Sequence, residues 1–132
     1  MVEQLAILKQ IDLPEALIAL RNDDIIEVIF KDDVVLDIAL QNKLLKSYLE
    51  ICDNKQMCFI FKAMDNVTIT KEARDNATNL EDASPLKASA LITDSLAYKL
   101  IGQFYLKVNK PKRPFNIFKT ELDAIEWLKQ FI

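Results

Sequence analysis

Two short apolar runs near the start of the chain predict a β-hairpin. Residues 16–20 and 25–30 are each of strand length, and the four residues between them, 21–24, read Arg-Asn-Asp-Asp. Asparagine and aspartate favour turns, because their side chains bond to the nearby backbone. The residues before the hairpin are also apolar, but their pattern suits a strand or a short helix equally. We treat residues 1–13 as an N-terminal extension.

From residue 37 onward, helical and strand patterns alternate. Asp37 can cap a helix that runs to about Cys52, and the apolar run over residues 57–61 predicts a strand buried on both faces. Thr70 can cap a second, weaker helix that ends near Leu80. The apolar face of this second helix is small and consists mostly of Ala73, Ala77 and Leu80.

The last third of the chain continues the alternation. A strand candidate covers residues 86–92, a helix begins near Ser95, a short strand covers residues 115–118, and Thr120 caps a terminal helix. Each of these two helices has an apolar stripe that we expect to face the sheet. In the first helix it consists of Leu96, Leu100, Phe104 and Val108, with Ala97, Ile101 and Tyr105 alongside, and in the second of Leu122, Ile125, Leu128 and Ile132. Because parallel strands need crossover connections, this order predicts an α/β fold. We expect one domain over residues 1–132, with a mixed, mostly parallel sheet of about five strands and about four helices.

The composition excludes several kinds of catalytic site. The chain has no histidine, so it can form neither a Ser-His-Asp triad nor a histidine metal site. Its one glycine, Gly102, cannot supply a glycine-rich phosphate loop. The paired acids at residues 23–24, 32–33 and 81–82 lie at predicted turns or element ends, where acidic residues are common. We expect no catalytic residue, no metal and no cofactor.

Charge and targeting features predict a cytoplasmic protein. The net charge of −3 disfavours a nucleic-acid partner, because the chain repels a phosphate backbone overall. Cys52 and Cys58 both lie in apolar patterns, as buried thiols do in a reducing compartment. The chain starts without the pattern of a signal peptide, and the longest stretch without a charge, residues 100–106, is too short to span a bilayer.

The C-terminal part of the chain resembles a known bacterial family. The likeness is carried by residues 90–97 (ALITDSLA), 100–105 (LIGQFY) and 109–111 (NKP), and by the ending. In that ending, Ala124, Trp127 and Leu128 match a tail of the form F-T-x-x-x-x-A-x-x-W-L. Together with the element order, these residues resemble the SpoIIAA-like fold of the STAS and CRAL-TRIO-like superfamily. The resemblance implies an N-terminal β-hairpin followed by alternating β-α units.

The resemblance also draws attention to one loop. Relatives that act as anti-sigma-factor antagonists have an Asp-Ser-Ser-Gly-like loop, in which a partner kinase phosphorylates a serine. The matching residues here, 65–70, contain neither serine nor glycine, and their hydroxyl groups are those of Thr68 and Thr70. The resemblance makes these two threonines candidates for regulatory phosphorylation. Since both precede a predicted helix, the alternative is that they cap it.

Two further sets of residues are candidate contact sites. A proline-stiffened basic loop is suited to docking a phosphate headgroup or an acidic protein surface, unless it simply faces water. This loop contains Lys107, Lys110, Lys112 and Arg113. A group of aromatic residues near the last two helices can line an apolar ligand site or form an association surface, for example in a homodimer. These residues are Phe104, Tyr105, Trp127 and Phe131.

These observations favour a non-enzymatic role. Our leading interpretation is a regulatory or protein-interaction module of the cytoplasm, with an unknown protein partner and no membrane-spanning segment. The alternative is a small carrier or sensor of an apolar or anionic, lipid-like ligand. In that alternative, the last two helices line the ligand site and the basic loop lies beside it.

Overall fold

A computed structural model describes residues 4–132, which form a six-stranded mixed sheet with helices on both faces. In chain order the elements are β1 (Ile7–Asp12), β2 (Ala16–Arg21), β3 (Ile25–Phe30), β4 (Val35–Leu36), α1 (Ile38–Ile51), β5 (Met57–Ala63), β6 (Thr68–Ile69), α2 (Lys71–Asn79), a 3-10 turn (Glu81–Ala83), β7 (Leu86–Ile92), α3 (Leu96–Phe104), a π turn (Tyr105–Asn109), β8 (Phe115–Phe118) and α4 (Glu121–Leu128). Residues 1–3, which belong to the expected N-terminal extension, lie outside the described part of the chain.

The sheet confirms the predicted hairpin and the mostly parallel plan. Its strand order is β1-β2-β3-β5-β7-β8. The first three strands are antiparallel, and β3, β5, β7 and β8 are parallel. The sheet has six strands rather than five because Ile7–Asp12 adds an edge strand to β2. The sequence pattern of this segment did not distinguish a strand from a helix. The structure gives the reason, because Ile7 and Leu8 are exposed and the strand has no buried apolar face.

The helices begin where the sequence indicates. The side chains of Asp37, Thr70 and Thr120 each accept a hydrogen bond from a backbone N–H in the first turn of α1, α2 and α4. The Oδ1 atom of Asp37, for example, lies 2.8 Å from the backbone nitrogen of Leu40. These bonds satisfy donors that have no partner within the helix, so local chemistry fixes the start of each helix.

The helices divide between the two faces of the sheet. Helices α1, α2 and α3 cover one face, where the core includes Ile26, Val28, Leu44, Tyr48 and Phe59. Helix α4 covers the other face, where it packs on Ile25, Cys58, Ile60, Ala88 and Ala90. This division follows from the parallel strands, because successive right-handed crossovers place their helices on the same face. The last helix follows the edge strand β8 and is free to fold onto the opposite face.

The predicted inward stripe of α3 is only partly right, because Ile101 and Tyr105 lie on the side of the sheet but the four residues spaced four apart do not. Leu96, Leu100, Phe104 and Val108 are exposed, and Leu100 keeps 54% of its surface accessible. Gly102 instead faces the sheet, so closely that a Cβ atom there would lie 2.7 Å from Cδ1 of Ile117. Because a helix turns about 100° per residue, Leu100 and Phe104 lie about 200° from Gly102 and point away from the sheet.

The predicted stripe of α4 is only partly right. Ala124 and Leu128 are buried, and Ile125 packs against the same core. Leu122 keeps 81% of its surface accessible, so it does not belong to the inward face. Ile132 is also exposed and lies beyond the helix.

The two cysteines are buried free thiols, as expected. They lie on opposite faces of the sheet, Cys52 beside α1 and Cys58 beneath α4. Burial raises the pKa of Cys52 to about 11, so its thiol stays protonated and unreactive near neutral pH.

Candidate functional site

A cavity of about 290 Å³ lies between the sheet and the three helices on its first face. Its walls are mostly aliphatic and aromatic. They include Phe30, Leu44, Tyr48, Phe61, Leu80, Leu91, Ile101, Tyr105 and Phe115. Small-molecule sites occupy about 300–1,000 Å³, so this cavity is at the small end of that range.

Small side chains create the space. Helix α2 contributes Ala77 to the wall, and α3 contributes Gly102. Ala73 is the buried residue of α2, so this helix sends no large apolar side chain into the core beneath it. The sequence shows this weakness of α2, because its apolar face is mostly alanine.

Several polar groups on the cavity wall already have partners. Gln41 donates to the carbonyl oxygen of Ala73 at 2.8 Å and accepts from Asn76 at 2.9 Å. Arg113 donates through Nη1 to the carbonyl oxygens of Ser84 and Leu86, each at 2.7 Å. These bonds hold the wall together, and Arg113 uses one of its three guanidinium nitrogens in them.

Glu81 has a similar structural role. Its carboxylate accepts the backbone N–H groups of Lys112 at 3.1 Å and Arg113 at 2.8 Å. The buried carboxylate thus joins the turn after α2 to the loop before β8.

Burial, with a smaller contribution from the charge of Glu81, raises the pKa of Tyr105 to about 12. Tyr105 therefore keeps its phenolic proton near neutral pH.

Arg74 differs from the other polar groups of the wall. Its Nε atom is buried and has no hydrogen-bond partner. Its guanidinium lies over the ring of Phe104, 4.7 Å from the ring centroid. No carboxylate of residues 4–132 lies within ion-pair distance of it. Arg74 spans the gap between α2 and α3 at the cavity.

The two candidate phosphorylation residues occupy different positions. Thr70 caps α2, with Oγ1 3.1 Å from the backbone nitrogen of Ala73. Thr68 is exposed and belongs to β6, where it pairs with Val35 of β4, so it does not cap the helix. The loop before them is also held in place, because the hydroxyl of Tyr98 donates to the carbonyl oxygen of Met64 and accepts the N–H of Val67.

The basic loop lies beside the cavity. Lys107, Lys110 and Lys112 are exposed, whereas Arg113 is half-buried and held by the two carbonyl oxygens. Pro111 and Arg113 line the cavity, which places the neighbouring Lys110 and Lys112 near its rim. The loop therefore offers three exposed lysines to a partner or ligand, while Arg113 belongs to the cavity wall.

The four candidate aromatic residues do not form one surface. Tyr105 lines the cavity and packs edge-on against Phe115, while Phe104 is exposed beside Arg74. Trp127 and Phe131 pack against the core beneath α4, on the opposite face of the sheet. The expectation that the last two helices line one cavity is wrong for the same reason, because the sheet separates them.

Sequence patterns missed Arg74, Glu81 and Gly102 as site residues. Arg74 looks like a solvent-facing charge on a weak helix, and its role depends on Phe104, thirty residues away in sequence. Glu81 was placed among the acids that occupy turns, although its partners lie in a distant loop. The chain's one glycine was a visible signal, since glycine within a helix is unfavourable unless packing requires it.

The opposite face of the sheet holds a network of ion pairs. Arg21, which is 1% exposed, contacts Asp23, Glu27 and Glu121. Lys62 contacts Glu27 and Glu121. All of these charges have partners, so the network joins the sheet to the start of α4 and does not form an open site.

Residues 4–132 contain neither a cluster of metal ligands nor a helix that could span a membrane. Within residues 4–132, no three acidic or cysteine side chains come together as metal ligands would. Over the same residues, no helix has both the length and the apolar character needed to cross a bilayer.

Comparisons with known proteins agree with this architecture. An uncharacterized protein of the DUF3478 family from Shewanella loihica PV-4, which has a SpoIIAA-like fold, superimposes with a TM-score of 0.51. The two chains are 14% identical, and the match covers 97% of this chain and 98% of the other. At that identity the likeness shows the fold alone, and it confirms the SpoIIAA-like fold. A search of curated proteins finds no match. Residues 18–132 match the model of a domain of unknown function, DUF7793, so the chain belongs to the DUF7793 family.

Proposed function

We propose that this protein is a non-enzymatic binding domain that holds a small apolar molecule in the cavity, as a carrier or sensor. The observation that carries the proposal is the apolar cavity of about 290 Å³ beneath α1, α2 and α3. An apolar cavity of about 150 Å³ is already large enough to bind benzene. Of the two interpretations of the sequence, the cavity favours the carrier or sensor.

The state of the polar groups supports a role without catalysis. Gln41 and Glu81 are occupied by bonds within the protein, and Arg113 is held in place by two carbonyl oxygens. Tyr105 has a raised pKa, which disfavours its use as a base. A cavity with these walls is suited to holding a molecule by burial rather than to converting it. The proposal also treats residues 1–132 as one cytoplasmic domain.

The test compares thermal denaturation with and without 1-octanol as the probe. A ligand that binds the folded state alone raises the melting temperature with concentration. We expect 1-octanol to stabilise the wild type and the control variant Ala97→Leu, whose substitution lies on the exposed side of α3. Ala77→Leu fills the cavity and should abolish the stabilisation. An equal response of all three proteins would contradict the proposal.

A second candidate function is association through the exposed side of α3. Leu96, Leu100, Phe104 and Val108 place four large apolar side chains on one side of this segment. Adjacent apolar residues on a surface favour association, here with a second copy of the chain or a protein partner. This regulatory interpretation includes the exposed lysines of the basic loop as contacts for the partner. It also includes Thr68 and Thr70 as sites of phosphorylation, which at Thr70 requires that the hydroxyl give up its capping bond.

Sedimentation at several concentrations tests the association. A homodimer through this surface predicts a mass that rises with concentration in the wild type and stays monomeric in Leu100→Lys. The substitution Leu122→Lys, on the exposed side of α4, is the matched control and should behave as the wild type. A mass that is monomeric and independent of concentration in all three proteins would contradict the homodimer.

A further inference from the structure

We propose that the ligand of the cavity is an amphipathic monoanion, whose apolar body fills the cavity and whose anionic oxygen atoms bind Arg74. This inference rests on the proposed function and adds the chemical class of the ligand. A carboxylate at the end of a short acyl chain has this character.

The first observation is the unsatisfied donor on Arg74. Its Nε atom is buried without a partner, whereas Glu81 uses both carboxylate oxygens and Arg113 uses Nη1 in bonds within the protein. A buried donor without an acceptor is unfavourable, because the group loses its bonds to water and gains none in return. Since Nε is covered, an oxyanion in the cavity offsets this loss at the terminal N–H groups of the same guanidinium.

The second observation is the absence of a competing acid. Asp75, the neighbour of Arg74 in α2, is exposed and already accepts bonds from Lys71 and Asn109, each at 2.9 Å. The carboxylate of Glu81 is used by two backbone N–H groups. Among residues 4–132, no carboxylate forms an ion pair with Arg74. The hydrogen bonds from Lys71 and Asn109 lower the pKa of Asp75, and the charge of Arg74 contributes less to this shift than they do.

The third observation is the orientation of the guanidinium. Its Cζ atom lies over the ring of Phe104, 4.7 Å from the centroid, an arrangement in which the ring attracts the cation. A guanidinium bonds oxyanions with the N–H groups of its edge, and contact with a ring does not use those donors. The pair thus holds a cation in position at the boundary of an apolar cavity.

The apolar wall defines the rest of the ligand. Gln41 is occupied and Arg113 is held through Nη1 by two carbonyl oxygens, so the mostly apolar wall offers little to a second, separated charge, whose burial without a partner is costly. One anionic end and an apolar body satisfy both parts of the site.

Isothermal titration with octanoate and 1-octanol tests the inference, because these probes share a chain and differ in charge. In the wild type we expect octanoate to bind at least about tenfold more tightly than 1-octanol, because its carboxylate forms charge-assisted bonds with the guanidinium of Arg74. In Arg74→Met we expect the two affinities to lie within about twofold, with that of 1-octanol unchanged. Arg74→Lys keeps the charge without the planar edge, so part of the preference should remain.

Two other variants test whether the carboxylate of the probe binds Arg74 or another cation. Lys46→Met removes an exposed charge of α1 away from the cavity wall and should keep the full preference for octanoate. If the preference for octanoate over 1-octanol disappears in Lys112→Met but persists in Arg74→Met, the anion binds the basic loop and the inference is overturned. Equal binding of both probes by the wild type would overturn the inference and leave the proposed function standing. Binding of neither probe would overturn the proposed function and the inference together.

Discussion

At the scale of single residues, Glu81 is the side chain that joins two segments of the cavity wall. Its two carboxylate oxygens accept the N–H groups of Lys112 and Arg113. We expect Glu81→Gln to destabilise the fold by about 1–3 kcal/mol, because one buried N–H loses its acceptor and the other loses a charged one. Urea denaturation measures this loss. Asp82→Asn, a change at the exposed neighbour, is the matched control, and equal losses in the two variants would contradict the assigned role.

Glu121 links stability to pH on the opposite face. Burial alone would raise the pKa of Glu121, but hydrogen bonds and charges from Lys62 and Arg21 outweigh it and lower the pKa below the ordinary 4.5. A carboxyl whose pKa is lowered on folding stabilises the protein above its unfolded pKa. That contribution is lost as the pH falls through the folded value.

We therefore expect Glu121→Gln to cost about 1 kcal/mol at neutral pH, because Arg21 keeps two other carboxylates and water screens Glu121. The difference from the wild type should shrink as the pH falls below 4.5. Urea denaturation across this range measures it. Glu126→Gln, which alters an exposed ion pair with Lys129, serves as the control and should show no such dependence. A difference that persists undiminished at the lowest pH would contradict this prediction.

At the scale of elements, the exposed stripe of α3 makes a clear prediction. We expect Leu100→Gln to change the free energy of unfolding by less than about 0.5 kcal/mol, because its side chain already lies in water. Leu128→Ala in α4 should cost about 2–5 kcal/mol, because Leu128 is fully buried. Urea denaturation of both variants compares the two positions. A large loss for Leu100→Gln would mean that the stripe packs inward after all.

The comparison of these elements shows what a sequence can determine. Caps and apolar runs are local signals, so Asp37, Thr70 and Thr120 marked the helix starts correctly. The inward face of α3 was not determined, because apolar residues occur on both of its sides and only packing on Ile117 selects Gly102. The pair β4 and β6 was missed as well, since each strand has two residues and pairs across a long separation in sequence.

At the scale of the whole molecule, the cavity depends on distant parts of the chain. Three helices and the sheet line it, and the space arises where Ala77 and Gly102 meet larger neighbours. The sequence indicated a carrier as an alternative but placed the site between α3 and α4, which the sheet separates. The position of a cavity depends on which helix faces pack against the same face of the sheet. The residue pattern within a single helix does not contain that information.

Methyl NMR spectra recorded during a titration with 1-octanol test the central claim most directly. If the cavity binds the probe, the methyl resonances of Leu44, Leu91 and Ile101 should shift and reach saturation. Those of Ile60 and Leu128, beneath α4, should stay in place. Shifts confined to exposed residues such as Leu122, or no saturable shift at all, would contradict a binding role for the cavity.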